Sequence, residues 1–416
     1  MNAAHERTAA ESPPQPPGAF RTFRALRNRD FRLLWVGLAV SAVGTWMQIV
    51  AQSLLVLKLT HGSAFALGSV SLAQALAFFL FALVGGSFAD RLDKRRLLLF
   101  TQTASATLAI LLGFLTLFGV IQLWMILVLA FLNGTLLSFD QPTRGALVPL
   151  LVPTEDLGNA ISLQSMIFNG ASTIGPALAG VAVATLGYAG NFFLNGASFL
   201  GVLFALYGMR VPAGPTHQQP ILQAIRLALG TVRRDTVLPW VLSGYAALLF
   251  LGPSAPLLLP IYAVKILHIG PERLGLLFSS AGLGTILGAL FLASLGTPRR
   301  GPIYLTGILI WVVSLMVFAV SGWFWVSLSA LLAFGIGQTL AGTTTTTLLQ
   351  TRVPEQMRGR VLSLNTLVIM GIRPLGDFPA GALIAGIGAP ETVLLAAALV
   401  GIYGLTLTMR PAIRST

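Results

Sequence analysis

The chain carries more hydrophobic sequence than a water-soluble core can hold, and it is cut into runs of one size. Twelve apolar runs follow one another at 33–57, 66–88, 97–118, 123–139, 159–186, 190–209, 238–261, 274–295, 303–321, 324–348, 361–387 and 392–409. Each is close to the ~20 residues a helix needs to cross bilayer hydrocarbon. Charged residues make up only 9% of the chain, against about 25% in soluble domains. Backbone groups in lipid must be satisfied within their own segment, so runs of this length predict helices. The expected fold is an all-α membrane protein of twelve transmembrane helices.

The cations test that count. With the amino terminus on the inner side and the runs alternating, 22 of the 26 Lys and Arg fall inside. Three, Lys58, Lys265 and Arg273, fall outside, and one, Arg373, lies within a run. A wrong number of crossings would scramble this bias, which predicts cytoplasmic termini. Residues 1–20, polar and Pro-rich around Pro13–Pro17, predict a disordered cytoplasmic tail. The Phe- and Arg-bearing stretch that follows suits a short helix on the inner leaflet. The one long polar interruption, 211–235, divides an amino-terminal bundle (21–210) from a carboxy-terminal one (236–416).

The same residues exclude several classes of function. The chain has no cysteine, so disulfides, thiolate metal sites and cysteine nucleophiles are ruled out. None of the four His lies in an apolar run and no two carboxylates share one, so no metal site, cofactor or enzymatic centre is expected. No Gly-x-x-x-x-Gly-Lys-Ser/Thr loop is present, which argues against direct use of ATP. The arginines are scattered between runs, so anionic lipid is a simpler partner than nucleic acid.

Two patterns organise the remainder. Between the second and third runs, six of the seven residues Asp90 to Arg96 are charged, four of them basic; this is a tight turn at the cytoplasmic surface. Gly86 stands one helical turn before Asp90 and would let a neighbouring helix approach the carboxylate. Second, Val152-Pro153 and Gly158 match Val353-Pro354 and Gly359 at an offset of 201 residues. The match continues through Ser162/Ser363, Gly170/Gly371, Gly175/Gly376, Gly180/Gly381 and Gly187/Gly388. Helices 5 and 11 are therefore equivalent, and six helices per half relate the halves by an axis along the membrane normal.

With Gly86-x-x-x-Asp90-Arg91 and Lys94-Arg95-Arg96, the chain resembles the major facilitator superfamily over 20–409. Leu26–Arg32, Gly44–Gln48, Asp140–Pro149 and Gly359-Arg360 narrow the resemblance to its transmembrane secretion effector branch, which includes enterobactin exporters. The resemblance implies alternating access, one half rocking against the other about a central cavity. It implies a cytoplasmic gate at Gly86, Asp90, Arg91 and Arg95, with Asp140 and Arg144 clamping the turn from the end of helix 4. Asp93 stands where the superfamily usually has Gly, and the matching loop at 294–300 lacks a carboxylate.

Gly170, Gly175, Pro176 and Gly180 in helix 5 resemble the Gly-Pro motif of exporters. Taken singly, such glycines equally serve close helix packing. Arg373 and Asp377 lie one turn apart near the middle of helix 11, where a charge costs at least ~2.5 kcal/mol. They read either as a structural ion pair or as a proton-coupling site with Asp377 titrating. Trp46, Gln48, Gln52, Gln74, Phe78, Asn169 and Gln338 are the cavity candidates: amides inside a span face protein or water, and aromatic walls suit amphipathic ligands. Four prolines, Pro239, Pro253, Pro256 and Pro260, predict that helix 7 breaks near its outer end.

The expected function is secondary-active efflux of a small amphipathic molecule, such as a siderophore, antibiotic or metabolite, by proton antiport. The partners are then substrate, protons and the lipid of a bacterial inner membrane, with the protein a monomer. The alternative on the same fold is an uncoupled lipid or lysophospholipid flippase.

Overall fold

The computed structural model describes residues 19–209, 221–296, 299–414 and 416. Most of the expected tail and residues 211–220 of the linker lie outside the described residues. A 3-10 turn, Ala19–Arg27, leads into α1, Arg29–Leu59. The Ser63 hydroxyl accepts the Ala66 N–H and starts α2, Ala64–Arg91. Asp93 accepts the Arg96 N–H at 2.8 Å and starts α3, Lys94–Leu117. The charged hairpin is thus a two-residue turn between helix caps.

α4 spans Leu123–Leu151 and continues well past the apolar run that ends at 139. The sequence places a boundary at the first charge, Asp140. In the fold Asp140 is buried and neutralised by Arg144, so the helix does not stop there.

One helical stretch, Leu157–Gly208, holds two arms, α5 (157–186) and α6 (188–208). They meet at Gly187, whose φ of 70° and ψ of −177° leave the helical region. The Trp35 ring N–H donates to the Leu163 carbonyl at 2.9 Å, and Gly37 touches the Gly201 backbone. Both arms therefore lie side by side along α1, and the stretch doubles back. Beyond the linker helix, Ile221–Arg234, α7 comes in two pieces, α7a (Leu238–Leu251) and α7b (Ala255–Lys265). The break falls mid-helix, not near one end as the prolines suggest.

α8, α9 and α10 are Pro271–Ser294, Arg300–Val320 and Phe324–Arg352. α11 runs Glu355–Leu367, widens into a π turn at Val368–Ile372 and resumes at Arg373–Ile387; α12 is Ala389–Thr408. Among the described residues ten helical segments are long and apolar enough to cross a membrane, the Gly187 pair being one of them. Counting its two arms and α11 separately is consistent with twelve crossings.

The internal repeat is visible in the packing. Gly388 sits at φ 100°, ψ 160°, close to the backbone state of Gly187. Gly180 lies on Pro271 and Glu272, while Gly381 lies on Ala64. Gly275 lies on Pro176 and Ala177, while Gly68 lies on Asp377 and Phe378. The α5 and α11 partners are 201 residues apart; the α2 and α8 partners are 207 apart. The same offset of 207 relates Lys58 to Lys265 and His61 to His268, and both histidines have positive φ, 51° and 47°. The two interfaces between the halves, α2 on α11 and α5 on α8, are one contact made twice.

Arg24 pairs with Asp156 at 2.9 Å at the start of α5, and the Arg300 N–H meets the Thr416 carbonyl at 2.8 Å. The described chain ends and the arginine-rich turns thus share one end of the bundle, the basic end. The α1–α2 and α7–α8 turns form the far end.

Candidate transport site

The halves meet along the far part of the bundle and part toward the basic end. On α5, residues 180, 176 and 173 follow one face, and each meets α8; Thr173 accepts the Ser279 hydroxyl at 2.5 Å. The same face continues into Asn169, Ser165 and Ser162, and all three are exposed. On the other seam, the Phe65 and Phe378 rings stand 5.3 Å apart, and the Phe79 ring lies on Gly371 of the π turn. At the basic end the described ion pairs, Arg24–Asp156, Arg144–Asp140 and Arg352–Asp235, each stay within one half. Toward the basic end, the α5 face that meets α8 farther out is therefore polar and exposed.

The helix-5 motif divides its work. Gly175 faces Trp46 and Val43 of α1 in its own half, Pro176 and Gly180 face α8 across the seam, and Gly170 borders open space. Trp46 packs edge-on against Phe168, with ring centres 5.9 Å apart. Asn169 is exposed, while Phe78 and Gln338 are half-buried. The other amides pair inside the amino-terminal half: Asn195 donates to Gln48 at 2.6 Å and Gln74 to Asn133 at 3.0 Å. Gln52 lies 3.5 Å from Gln48. These amides tie helices together.

Of the residues expected at the gate, Arg95, Asp140 and Arg144 bond within the amino-terminal half. Arg95 donates to the carbonyls of Leu206 and Tyr207 at 2.6 and 2.8 Å, closing the last turn of α6. Asp140, 3% exposed, takes Thr101 at 3.0 Å, Gln102 at 2.6 Å and Arg144 at 2.6 Å. Arg91 is exposed and Gly86 half-buried; Gly85, beside it, lies on the α4 backbone at Ser138. The side chain of Asp90 lies outside the described residues.

Asp377 is 4% exposed and faces the break in α7. One carboxylate oxygen accepts the Ser254 N–H at 2.9 Å and the other accepts the Ser254 hydroxyl at 2.7 Å. Ser254 is also the cap of α7b, accepting the Leu257 N–H at 3.3 Å. A carboxylate at a helix N-terminus is stabilised by the unpaired amides and the dipole there. This explains why Asp377 turns from Arg373. The described ion pairs do not include Arg373–Asp377, and the buried Arg373 Nε has no hydrogen-bond partner. Arg373 stays near enough to act electrostatically on both Asp377 and Tyr245. The Asp377 carbonyl meanwhile lies against Gly68 of α2. One residue thus joins α11, the start of α7b and the opposite half.

Sequence reasoning passes over Ser254, Thr101 and Gln102. Ser254, two residues before Pro256, carries a helix-start signal; the other two carry none.

Two repeated six-helix halves, joined along two equivalent seams with a buried carboxylate at one of them, define a membrane transporter. A family described as transmembrane secretion effector matches residues 20–416, and the chain belongs to it, within the major facilitator superfamily. The enterobactin exporter EntS of Citrobacter koseri is 28% identical over 381 residues, covering 91% of this chain and 89% of that protein. The EntS of Salmonella typhimurium is 27% identical over 387 residues, with 91% and 90% covered. Among solved structures, a bacterial homologue of the human lysosomal transporter Spinster, inward-facing and unoccupied, has a TM-score of 0.74 at 13% identity, covering 92% of this chain and 98% of that one. A bacterial homologue of the iron transporter ferroportin, also inward-facing, has a TM-score of 0.68 at 19% identity, with 92% and 99% covered. These two likenesses bear on the fold. The protein is a membrane efflux transporter of the major facilitator type.

Proposed function

We propose that this transporter exports a small amphipathic organic molecule from the cytoplasm by proton antiport, with Asp377 as the proton site. The enterobactin that its exporter relatives are named for supports the substrate class. The excess of cations at the basic end puts that end, and both termini, in the cytoplasm, in the inner membrane of a bacterium. The described conformation is then open to the cytoplasm, ready to load. The protein works as a monomer.

The carrying observation is the bond of Asp377 to Ser254. Asp377 is a carboxylate deep in a span, where ionisable groups mark proton and ion pathways. Its charged form holds the start of α7b; protonation removes charge from both hydrogen bonds and frees α7b to move against α11. Binding a proton on one side and releasing it on the other would link α7b position to the gradient. The α5 seam, with Pro176 at the position equivalent to Asp377, carries no such switch.

The test is flux in proteoliposomes with enterobactin and ethidium as probes, with and without a pH gradient. Gradient-driven flux should fall at least tenfold in Asp377→Asn, with exchange of unlabelled for labelled probe retained. Equal wild-type flux with and without the gradient overturns proton coupling and favours the uncoupled flippase.

A further inference from the structure

The repeat exposes a site that one half fills and the other leaves open. At the basic end of the amino-terminal half, Arg24 reaches the α4–α5 turn and pairs with Glu155 at 2.8 Å and Asp156 at 2.9 Å. The basic surface segment and the start of α5 neutralise each other there. The carboxy-terminal half repeats the arrangement with the linker helix, whose buried Ala228 and Val232 dock it beside the α10–α11 turn. At the offset of 201, however, Glu155 becomes Gln356 and Asp156 becomes Met357. Neither paired carboxylate is kept; Glu355, the acid of this turn, is exposed and does not line the space beside the linker helix, whereas the arginines do.

What remains is a cavity of about 840 Å³ between the linker helix and that turn. Arg226, Arg234 and Arg352 line it, and Leu227, Val353 and Met357 supply apolar wall. Asp235 also lines it, but it is bound to Arg352 at 3.1 Å and to the N–H groups of Val237 and Leu238 at 2.7 and 3.0 Å. Arg226 and Arg234 are exposed and take part in none of the described ion pairs. The cavity lies where α7 begins and α10 ends, at the level of the bilayer surface.

We propose that this cavity binds one anionic phospholipid of the cytoplasmic leaflet, its phosphate between Arg226 and Arg234 and its first acyl carbons on Leu227, Val353 and Met357. Two exposed guanidiniums outside the described ion pairs attract an anion, basic pockets between membrane helices on this face take lipid head groups, and the apolar wall suits chain as well as phosphate. None of the residues lining it takes part in the seam contacts at Gly180, Gly275 or Asp377.

The full-length protein, purified in neutral detergent, is titrated with phosphatidylglycerol, phosphatidylcholine and glycerol phosphate, and bound lipid is counted by native mass spectrometry. Wild type should retain one phosphatidylglycerol in preference to phosphatidylcholine. A guanidinium beside an anionic head group is worth roughly fivefold, so Arg226→Gln/Arg234→Gln should bind about 25-fold more weakly. Arg226→Lys/Arg234→Lys should keep most of the preference, which separates lost charge from lost folding. Met357→Asp restores the carboxylate of the other half and should expel the lipid with every arginine in place. Equal retention in wild type and the glutamine variant, or no preference for phosphatidylglycerol, overturns the proposal. So does glycerol phosphate competing as well as the whole lipid, which makes the site one for soluble anions.

Discussion

At the scale of single residues, the buried carboxylates decide what can be changed. Asp140 and Asp377 are both almost fully enclosed, and each is satisfied by groups from a different helix. For Asp140 these are Thr101 and Gln102 of α3, beside Arg144 of its own helix. Removing one partner of a buried pair leaves the other charge stranded, at roughly 3 kcal/mol or more. Asp140→Asn should therefore lower the melting temperature of the purified protein well below that of Arg91→Gln, which alters an exposed side chain. Ser254→Ala removes one of two hydrogen bonds to a carboxylate together with a helix cap. A bond to a charged group contributes about 1.5–3 kcal/mol, so the melting temperature should fall and Ser254→Thr should recover part of it. Asp140 was legible as a charge but not as a buried one, because burial depends on α3 closing over it.

At the scale of elements, the linker helix is held at its carboxy end by Asp235. Partial burial works to raise this carboxyl, but the N–H groups of Leu238 and Val237 and the Arg352 guanidinium outweigh it and hold the group below the usual carboxylate range. A depressed value means the contact stabilises fully above the ordinary carboxylate pKa and fades as pH falls through the lowered one. A spin label at the exposed Leu229 should stay immobile from neutral pH to the ordinary carboxylate range and gain mobility only in stronger acid. In Asp235→Asn it should be mobile at neutral pH as well. The sequence marks this element only as part of the polar interruption 211–235, and its docking site is not legible either, because Arg352 is 117 positions away. The π turn in α11 has no sequence signal either. It lies where Gly371 accepts the Phe79 ring from the other half, and such turns occur at functional points of helices.

At the scale of the molecule, close approach at paired small positions makes two seams that can separate as units. Gly180 and Gly275 have no room for a larger side chain in the sealed state. Gly275→Leu should therefore hold the far end apart and stop transport while the protein still folds. Because the chain has no cysteine, an introduced pair can be oxidised cleanly. Thr173→Cys with Ser279→Cys should cross-link in the state described here and block flux until reduced. Undiminished flux in the oxidised protein would mean that this seam does not open during transport.

The residues alone set the membrane, the number of apolar runs, their alternation and the repeat at 201. Each of these follows from local hydrophobicity, from cations that resist crossing a bilayer, or from identities within one chain. The second offset, 207, was also present in the sequence, but it rests on few identities, and the shared turn geometry at His61 and His268 makes it visible. Tertiary structure alone decided that Asp377 binds Ser254 instead of Arg373, that Arg95 and Arg144 bond within their own half, and that the α5 face is exposed toward the basic end. These outcomes depend on which surfaces meet across the chain, and the free-energy differences between such arrangements are too small and too distributed for any local pattern to encode.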